Sequence, residues 1–413
     1  MSASEQATVS KGRAILTVLL CCLVAMMEGI DLQAPGLTLP ILGPMFKMSA
    51  GHGLDLGEKG WFLSMSTFGL MVGAAIGGRA SDLIGRKWVL ILAASLFGLF
   101  SILTAFSTST HMLMAMRFLT GLGLGGAFPN LIALAAENVS QSKRHTAIGF
   151  LYASMPVGGG SASLIAAVFS GAQQWPVVYL VGGIAPLLIV PLLMLFLPGG
   201  KPAQNAQEHP AGRSIATALF GEGRAARTLL LWLAFFLALL VMYLLLGWLP
   251  SLMGTRGLSH AQASTVQIAF NWVGAAGSIL IGFILDRNRS ALTVGLVFAA
   301  SAAALIYLAG APGDLLLMII GGGLVGATIS GVQTLLYGIA PSCYPTHVRG
   351  TGVGFAVAVG RLGSAAGPLL ASVLVGAGQS AAQVLMALVP ILAVSALASI
   401  MAVSLVKSRP VGA

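Results

Sequence analysis

Apolar stretches long enough to cross a bilayer recur at about 14–40, 59–80, 88–107, 111–136, 144–170, 175–197, 228–254, 261–284, 290–309, 313–340, 348–375 and 382–406. Short polar, glycine or proline turns separate them, so the pattern predicts twelve helices. One interruption is longer: 198–227 carries Lys201, Pro202, Gln204, Asn205, Gln207 and Glu208 and predicts a linker. The expected architecture is an all-α polytopic membrane protein of two six-helix bundles, 1–197 and 228–413, joined through 198–227.

Composition agrees with this pattern. Of 413 residues 57% are hydrophobic and 8% charged, more apolar surface than a soluble fold can bury. The net charge of +10 would suit nucleic acid, but the basic residues are scattered without interleaved aromatics, and membrane topology accounts for them better. Sixteen Lys and Arg fall in loops on the side of the N-terminus against Lys47, Lys59 and Arg256 on the other, which predicts cytoplasmic termini and a cytoplasmic linker. Lys11 and Arg13 precede an apolar run too long and too acidic for a signal peptide, so an uncleaved first helix is expected. Cys21, Cys22 and Cys343 have no metal or disulfide spacing, and the six histidines sit near span ends without forming a ligand set. No metal or cofactor is expected. The glycine run 121–126 lies inside a span and follows no strand, which excludes a nucleotide loop; it reads as close helix packing, as do the runs near 158 and 363. Without a Gly-x-Ser-x-Gly elbow or a His-Glu-x-x-His pair, an enzyme is not expected.

The chemistry concentrates in a few charges inside spans. Glu28 lies ~21 Å into the first span and Asp31 ~5 Å further, one turn apart on one face. An ionised carboxylate in lipid costs at least ~2.5 kcal/mol, so both acids must face protein or a wet cavity, where each can hold a proton. Arg117, in the fourth span, sits at a depth similar to that of Asp31, and an ion pair between them is expected. Arg361, ~18 Å into the eleventh span, has no acid on an adjacent turn. Its planar fork fits a carboxylate, which makes it the leading anion binder. Flat walls and hydrogen-bonding groups for a ring could come from Asn130, Tyr152, Asn271, Trp272, Gln333 and Tyr337, with Arg117 as a second cation.

The halves echo each other. Gly78-Arg79-Ala80-Ser81-Asp82-Leu83-Ile84-Gly85-Arg86-Lys87 joins the second and third spans, and Gly282-Phe283-Ile284-Leu285-Asp286-Arg287 follows the eighth, about half the chain later. Parallel repeats of this kind build many secondary transporters, with substrate bound near the midplane between the halves. The turn motif, its degenerate copy and the twelve-span plan resemble the major facilitator superfamily over essentially the whole chain. Within it, the acid pair, Arg117-Phe118-Leu119-Thr120-Gly121 running to Pro129-Asn130, and Val359-Gly360-Arg361-Leu362-Gly363 resemble the aromatic acid:proton symporters. Most of these carry Asp-Gly-x-Asp where this chain has Glu28-Gly29-Ile30-Asp31, and that departure, with Leu32-Gln33 following, resembles the hydroxyphenylpropionate branch.

The resemblance implies a monomeric importer of a small aromatic acid with protons, in a bacterial-type inner membrane, working by rocking of the two halves. Glu28 and Asp31 would couple the proton. It also implies a gate at Gly78, Asp82, Gly85 and Arg86, with Asp82 against the start of the eleventh helix after His347 and beside Arg144 or Arg349; Glu137 belongs to the same latch. The family has a basic residue where Leu83 stands. Proton antiport would use the same acids, so export of drugs or metabolites is the second reading. A ligand sensor without transport would need a signalling domain that neither short terminus supplies.

Overall fold

The computed structural model describes residues 11–52, 55–139, 144–197, 215–221, 223–287, 291–345 and 348–407. In chain order the helices are α1 (Lys11–Met45), α2 (Glu58–Ile84), α3 (Arg86–Ala105), α4 (Thr110–Glu137), α5 (Arg144–Val168), α6 (Pro176–Phe196), α7 (Ile215–Phe220), α8 (Ala225–Gly254), α9 (His260–Arg287), α10 (Ala291–Gly310), α11 (Leu315–Ile339), α12 (Arg349–Gly376) and α13 (Ala381–Lys407). A 3₁₀ turn, Ala340–Cys343, extends α11. Among the described residues twelve helices, all but α7, are long and apolar enough to cross a membrane.

Two local expectations change. The first span was expected to stop at Pro40, yet α1 runs on through Pro35, Pro40 and Pro44 to Met45. Inside a bundle, neighbouring side chains take up the carbonyls that proline frees, so the helix continues. Within the expected linker, residues 215–220 form the short α7, and Thr228 Oγ1 donates to Leu219 O at 2.7 Å, tying it to α8. The remainder of that stretch up to 214 lies outside the described residues.

Packing repeats between the halves. Helices α2 and α4 press backbone to backbone, as a Cβ on Gly121 would come within 2.1 Å of Ser66 O. Their counterparts α9 and α11 do the same, with a Cβ on Gly326 meeting Phe270 O at 1.9 Å. Glycine permits that approach, and dispersion between the backbones replaces a hydrophobic drive that lipid does not supply. The fourth spans of both halves also start alike: Ser109 Oγ accepts from Met112 N at 3.2 Å on α4, and Asp314 Oδ1 from Leu317 N at 3.1 Å on α11. At the turn between α2 and α3, Gly85 has φ 86°, a conformation that glycine adopts without a Cβ clash.

Hydrogen bonds and close backbone contacts join the halves toward the end remote from the chain termini. There Ser64 Oγ on α2 donates to Ala365 O on α12 at 2.8 Å, and Gly51 N donates to Ser372 O at 3.1 Å. A Cβ on Gly36 of α1 would meet Leu246 O of α8 at 2.7 Å. At the other end the four helices α2, α5, α9 and α12 carry Gly78, Gly149, Gly282 and Gly354, and a Cβ on any of these meets no atom within 4 Å. The bundle is therefore sealed at the far end and splayed at the end that bears the termini.

Candidate functional site

The two acids of α1 are both fully buried but differ in their partners. Asp31 is saturated. Arg117 of α4 donates to it with two prongs, Nη1 to Oδ1 at 3.0 Å and Nη2 to Oδ2 at 2.5 Å, and Ser101 Oγ of α3 lies 2.7 Å from Oδ1. Proline chemistry adds a third contact. Pro35 has no N–H, so the Asp31 carbonyl four residues earlier is free of the helix ladder, and Arg117 Nη2 donates to it at 3.2 Å. Arg117 Nε donates to Ser66 Oγ of α2 at 2.9 Å, and the guanidinium stacks 5.5 Å from the centre of the Tyr179 ring on α6. Thr38 Oγ1 in turn meets the Tyr179 hydroxyl at 2.8 Å. Five of the first six helices are thereby tied around one ion pair.

Glu28 has no such shell. Among the described residues neither of its carboxyl oxygens has a hydrogen-bond partner, although its side chain is fully buried. Its position is fixed by backbone: a Cβ on the adjacent Gly29 would come within 2.0 Å of Met155 O, and one on Gly158 within 1.9 Å of Met26 O, so α1 and α5 touch directly beside the acid. The charge acting on it from the opposite half is that of Arg361, on α12. Arg361 is half-buried and, among the described residues, makes one hydrogen bond, Nη1 donating to the Tyr243 hydroxyl of α8 at 2.8 Å. Its charge also reaches Tyr152 and Tyr337.

The sequence-predicted aromatic candidates separate. Tyr152 and Tyr337 come together across the halves with ring centres 6.0 Å apart, flanked by Phe128 at 5.4 Å from Tyr152 and Phe235 at 5.3 Å from Tyr337. Gln333, one turn from Tyr337 on α11, is half-buried and makes no hydrogen bond with a described residue. Asn130 spends its amide on its own helix, Nδ2 donating to Gly126 O at 2.8 Å. Trp272 packs over Gly160 at the α5–α9 contact and donates from Nε1 to Val157 O at 3.4 Å. It belongs to the seam between the halves, and nothing places it with Arg361.

Of the gate residues, Gly78 lies on the splayed side and Gly85 turns the chain into α3. Arg86 is half-buried at the start of α3, and Arg349 is exposed at the start of α12. The side chains of Asp82, Glu137 and Arg144 lie outside the described residues, as does His347. The neighbouring Lys87 closes the end of α6, its Nζ donating to Met194 O and Leu197 O at 2.8 Å each.

Three features were not legible in the sequence. Tyr243 is one; its place beside Arg361 depends on how α8 meets α12. The shell of Ser66, Ser101 and Tyr179 around Asp31 is another, although Pro35 four residues after the acid was a usable sign. The third is an amide cluster at the sealed end, which also takes Asn271 away from the expected ring site: Gln33 Nε2 donates to Leu246 O at 2.9 Å, while Gln33 Oε1 accepts from Gln267 Nε2 at 3.2 Å and from Asn271 Nδ2 at 3.1 Å. All three side chains are buried, so one glutamine of α1 clasps two helices of the other half.

The model of the Major Facilitator Superfamily matches residues 18–368 and 231–411. The chain is 40% identical over 391 residues to the 3-(3-hydroxy-phenyl)propionate transporter of Escherichia coli K12, covering 94% of each chain. It is 32% identical to a gallate transporter of Pseudomonas putida, covering 88% of this chain and 86% of that one. To the 4-hydroxybenzoate transporter PcaK of Pseudomonas aeruginosa it is 31% identical, covering 90% and 88%. Among solved structures, a bacterial homologue of the lysosomal transporter Spinster, inward-facing and unoccupied, superposes with a TM-score of 0.78 at 18% identity, covering 98% of this chain and 100% of that one. The xylose transporter XylE of Escherichia coli, in a partially occluded inward-open form, gives 0.75 at 17% identity, with 94% and 97% covered. At such identities the two structures speak for the fold alone.

Proposed function

The chain belongs to the major facilitator superfamily, whose members named above are transporters and not enzymes, and from that premise we propose that it imports a small aromatic carboxylate together with a proton. The substrate class rests on relatives named for hydroxyphenylpropionate, gallate and hydroxybenzoate, with a hydroxyphenylpropionate-like acid favoured by the most similar of the three. The observation that carries the coupling is Glu28: a buried acid without a hydrogen-bond partner, inside the field of an arginine of the opposite half.

Charge accounting links the two ions. With Glu28 ionised and Arg361 positive, the empty site is neutral. With Glu28 protonated and a carboxylate against Arg361, the loaded site is neutral again. A proton alone leaves it at plus one and a substrate alone at minus one, and an uncompensated charge in the bilayer core costs at least ~2.5 kcal/mol. Only the empty and the doubly loaded forms rock freely, which is the condition for obligatory symport. Tyr152 and Tyr337 offer the ring its flat walls, with the Gln333 amide beside them.

The loop charge bias supports cytoplasmic termini in an inner membrane, so the splayed end faces the cytoplasm. Opening to the outside would break the Gln33 clasp and the α2–α12 seam and bring together the ends that bear Asp82 and Arg349. One proton moving with a monoanion carries no net charge, so the pH gradient alone drives it, at about 1.4 kcal/mol per unit. A second proton would add about 2.3 kcal/mol per 100 mV. Uptake of labelled 3-(3-hydroxyphenyl)propionate into proteoliposomes tests the reading. Accumulation is expected only with an acidic exterior; accumulation indifferent to the gradient contradicts symport, and extrusion against it would favour export.

A further inference from the structure

Tyr243 stands where a second recognition group for the substrate's acid is needed. Arg361 Nη1 donates to its hydroxyl at 2.8 Å, so the phenol oxygen is an acceptor and its own proton is left for another partner. Among the described residues none accepts that proton, and Arg361 donates to nothing else. Glu28 does not close the gap, since neither of its oxygens is hydrogen-bonded. Tyr243 is half-buried and lines a narrow cleft between α1, α2, α8 and α12 whose other walls include Leu32, Pro35, Leu63 and Pro368. A guanidinium and a phenol joined in this way present donors side by side.

We propose that Tyr243 is a specificity-determining residue, its O–H and the Arg361 N–H groups gripping the two oxygens of one substrate carboxylate. The inference rests on the reading of Arg361 as the substrate's anchor and adds what that reading lacks, a reason for the acid to be preferred over its neutral isosteres. A carboxylate only accepts hydrogen bonds. A carboxamide of the same shape turns an NH₂ toward one of the two donors and leaves it unpaired, which a site built for acceptors rejects strongly.

The test compares 3-phenylpropionate with 3-phenylpropionamide, identical in ring and chain, for binding to the reconstituted full-length protein. The unsubstituted protein is expected to prefer the acid. Tyr243→Phe removes one hydrogen bond to a charged group, so the Kd for the acid should rise about 10- to 100-fold while that for the amide changes less than about 3-fold. Equal losses for both ligands, or no loss for the acid, would overturn the role. A second background separates donation from mere support of the arginine fork. Lysine offers a point charge with no fork to orient, so in Arg361→Lys the Phe substitution should still weaken acid binding about 10-fold if Tyr243 donates directly. No further loss there would reduce Tyr243 to a prop and overturn the proposal. Should the unsubstituted protein bind acid and amide alike, the carboxylate reading of Arg361 itself fails, a result distinct from failure at Tyr243 alone.

Discussion

Asp31 and Glu28 are one turn apart on α1, equally buried, and opposite in chemistry. Asp31 is held by two guanidinium prongs and a serine, and its carbonyl is held as well. Neither oxygen of Glu28 has a hydrogen-bond partner among the described residues, and the charge of Arg361 acts on it from the other half of the molecule. A carboxylate held in that way ties its bundle together, since breaking a buried pair costs about 3–5 kcal/mol. A carboxyl without partners can change its protonation without dismantling anything. Two buried acids one turn apart thus serve cohesion in one place and support coupling in the other, and the neighbours decide which.

That contrast predicts a graded set of losses. The largest should follow Asp31→Asn, which leaves Arg117 charged and buried without its anion. A loss of about 3–5 kcal/mol should appear in unfolding of the detergent-solubilised protein, with transport failing as a consequence. Replacing Arg117 by Met at the same time should recover much of it; if the single variant unfolds like the unsubstituted protein, Asp31 is no keystone. Next is Arg361→Ala, for which stability should hold within about 1 kcal/mol while affinity for 3-(3-hydroxyphenyl)propionate falls about 30-fold or more and that for neutral aromatic analogues hardly moves. A smaller, conformational effect is expected from Gln33→Leu, which leaves Leu246 O and the Gln267 amide unpaired in the seal at about 1–3 kcal/mol each, while Asn271 Nδ2 keeps its bond to Gln267 O. The balance should shift toward opening at the far end, read as roughly 10-fold faster maleimide labelling of Ser264→Cys, a position fully buried near the start of α9, in a background lacking the three native cysteines. Unchanged labelling would remove the clasp from the gating account.

Much of this was legible in the chain and some was not, for physical reasons. Hydrophobic runs located all twelve spans because the bilayer imposes a length, and the glycine runs at 121–126 foretold close packing because few residues let backbones touch. Matching depth foretold the pairing of Asp31 with Arg117. Depth could not foretell which acid would be satisfied: that turned on Ser66, Ser101 and Tyr179, short-range contacts from three other helices. The ends of helices were misjudged where proline was taken as a stop. Tyr243 escaped because its partner Arg361 lies on another helix of the same half, and the Gln33 cluster because its partners lie on the opposite half; a polar residue within a span shows its neighbour only once the helices are docked.

The central claim is that Glu28, and not Asp31, carries the transported proton, and Glu28→Gln tests it most directly. The substitution keeps shape and removes titration, at a site with no hydrogen bond to lose. Stability should change by less than about 1 kcal/mol. In proteoliposomes the variant should still exchange labelled for unlabelled 3-(3-hydroxyphenyl)propionate, because the site with amide and bound anion is neutral, yet an imposed pH gradient should no longer drive accumulation. Accumulation that still follows the gradient in Glu28→Gln would contradict the account and return the proton to Asp31.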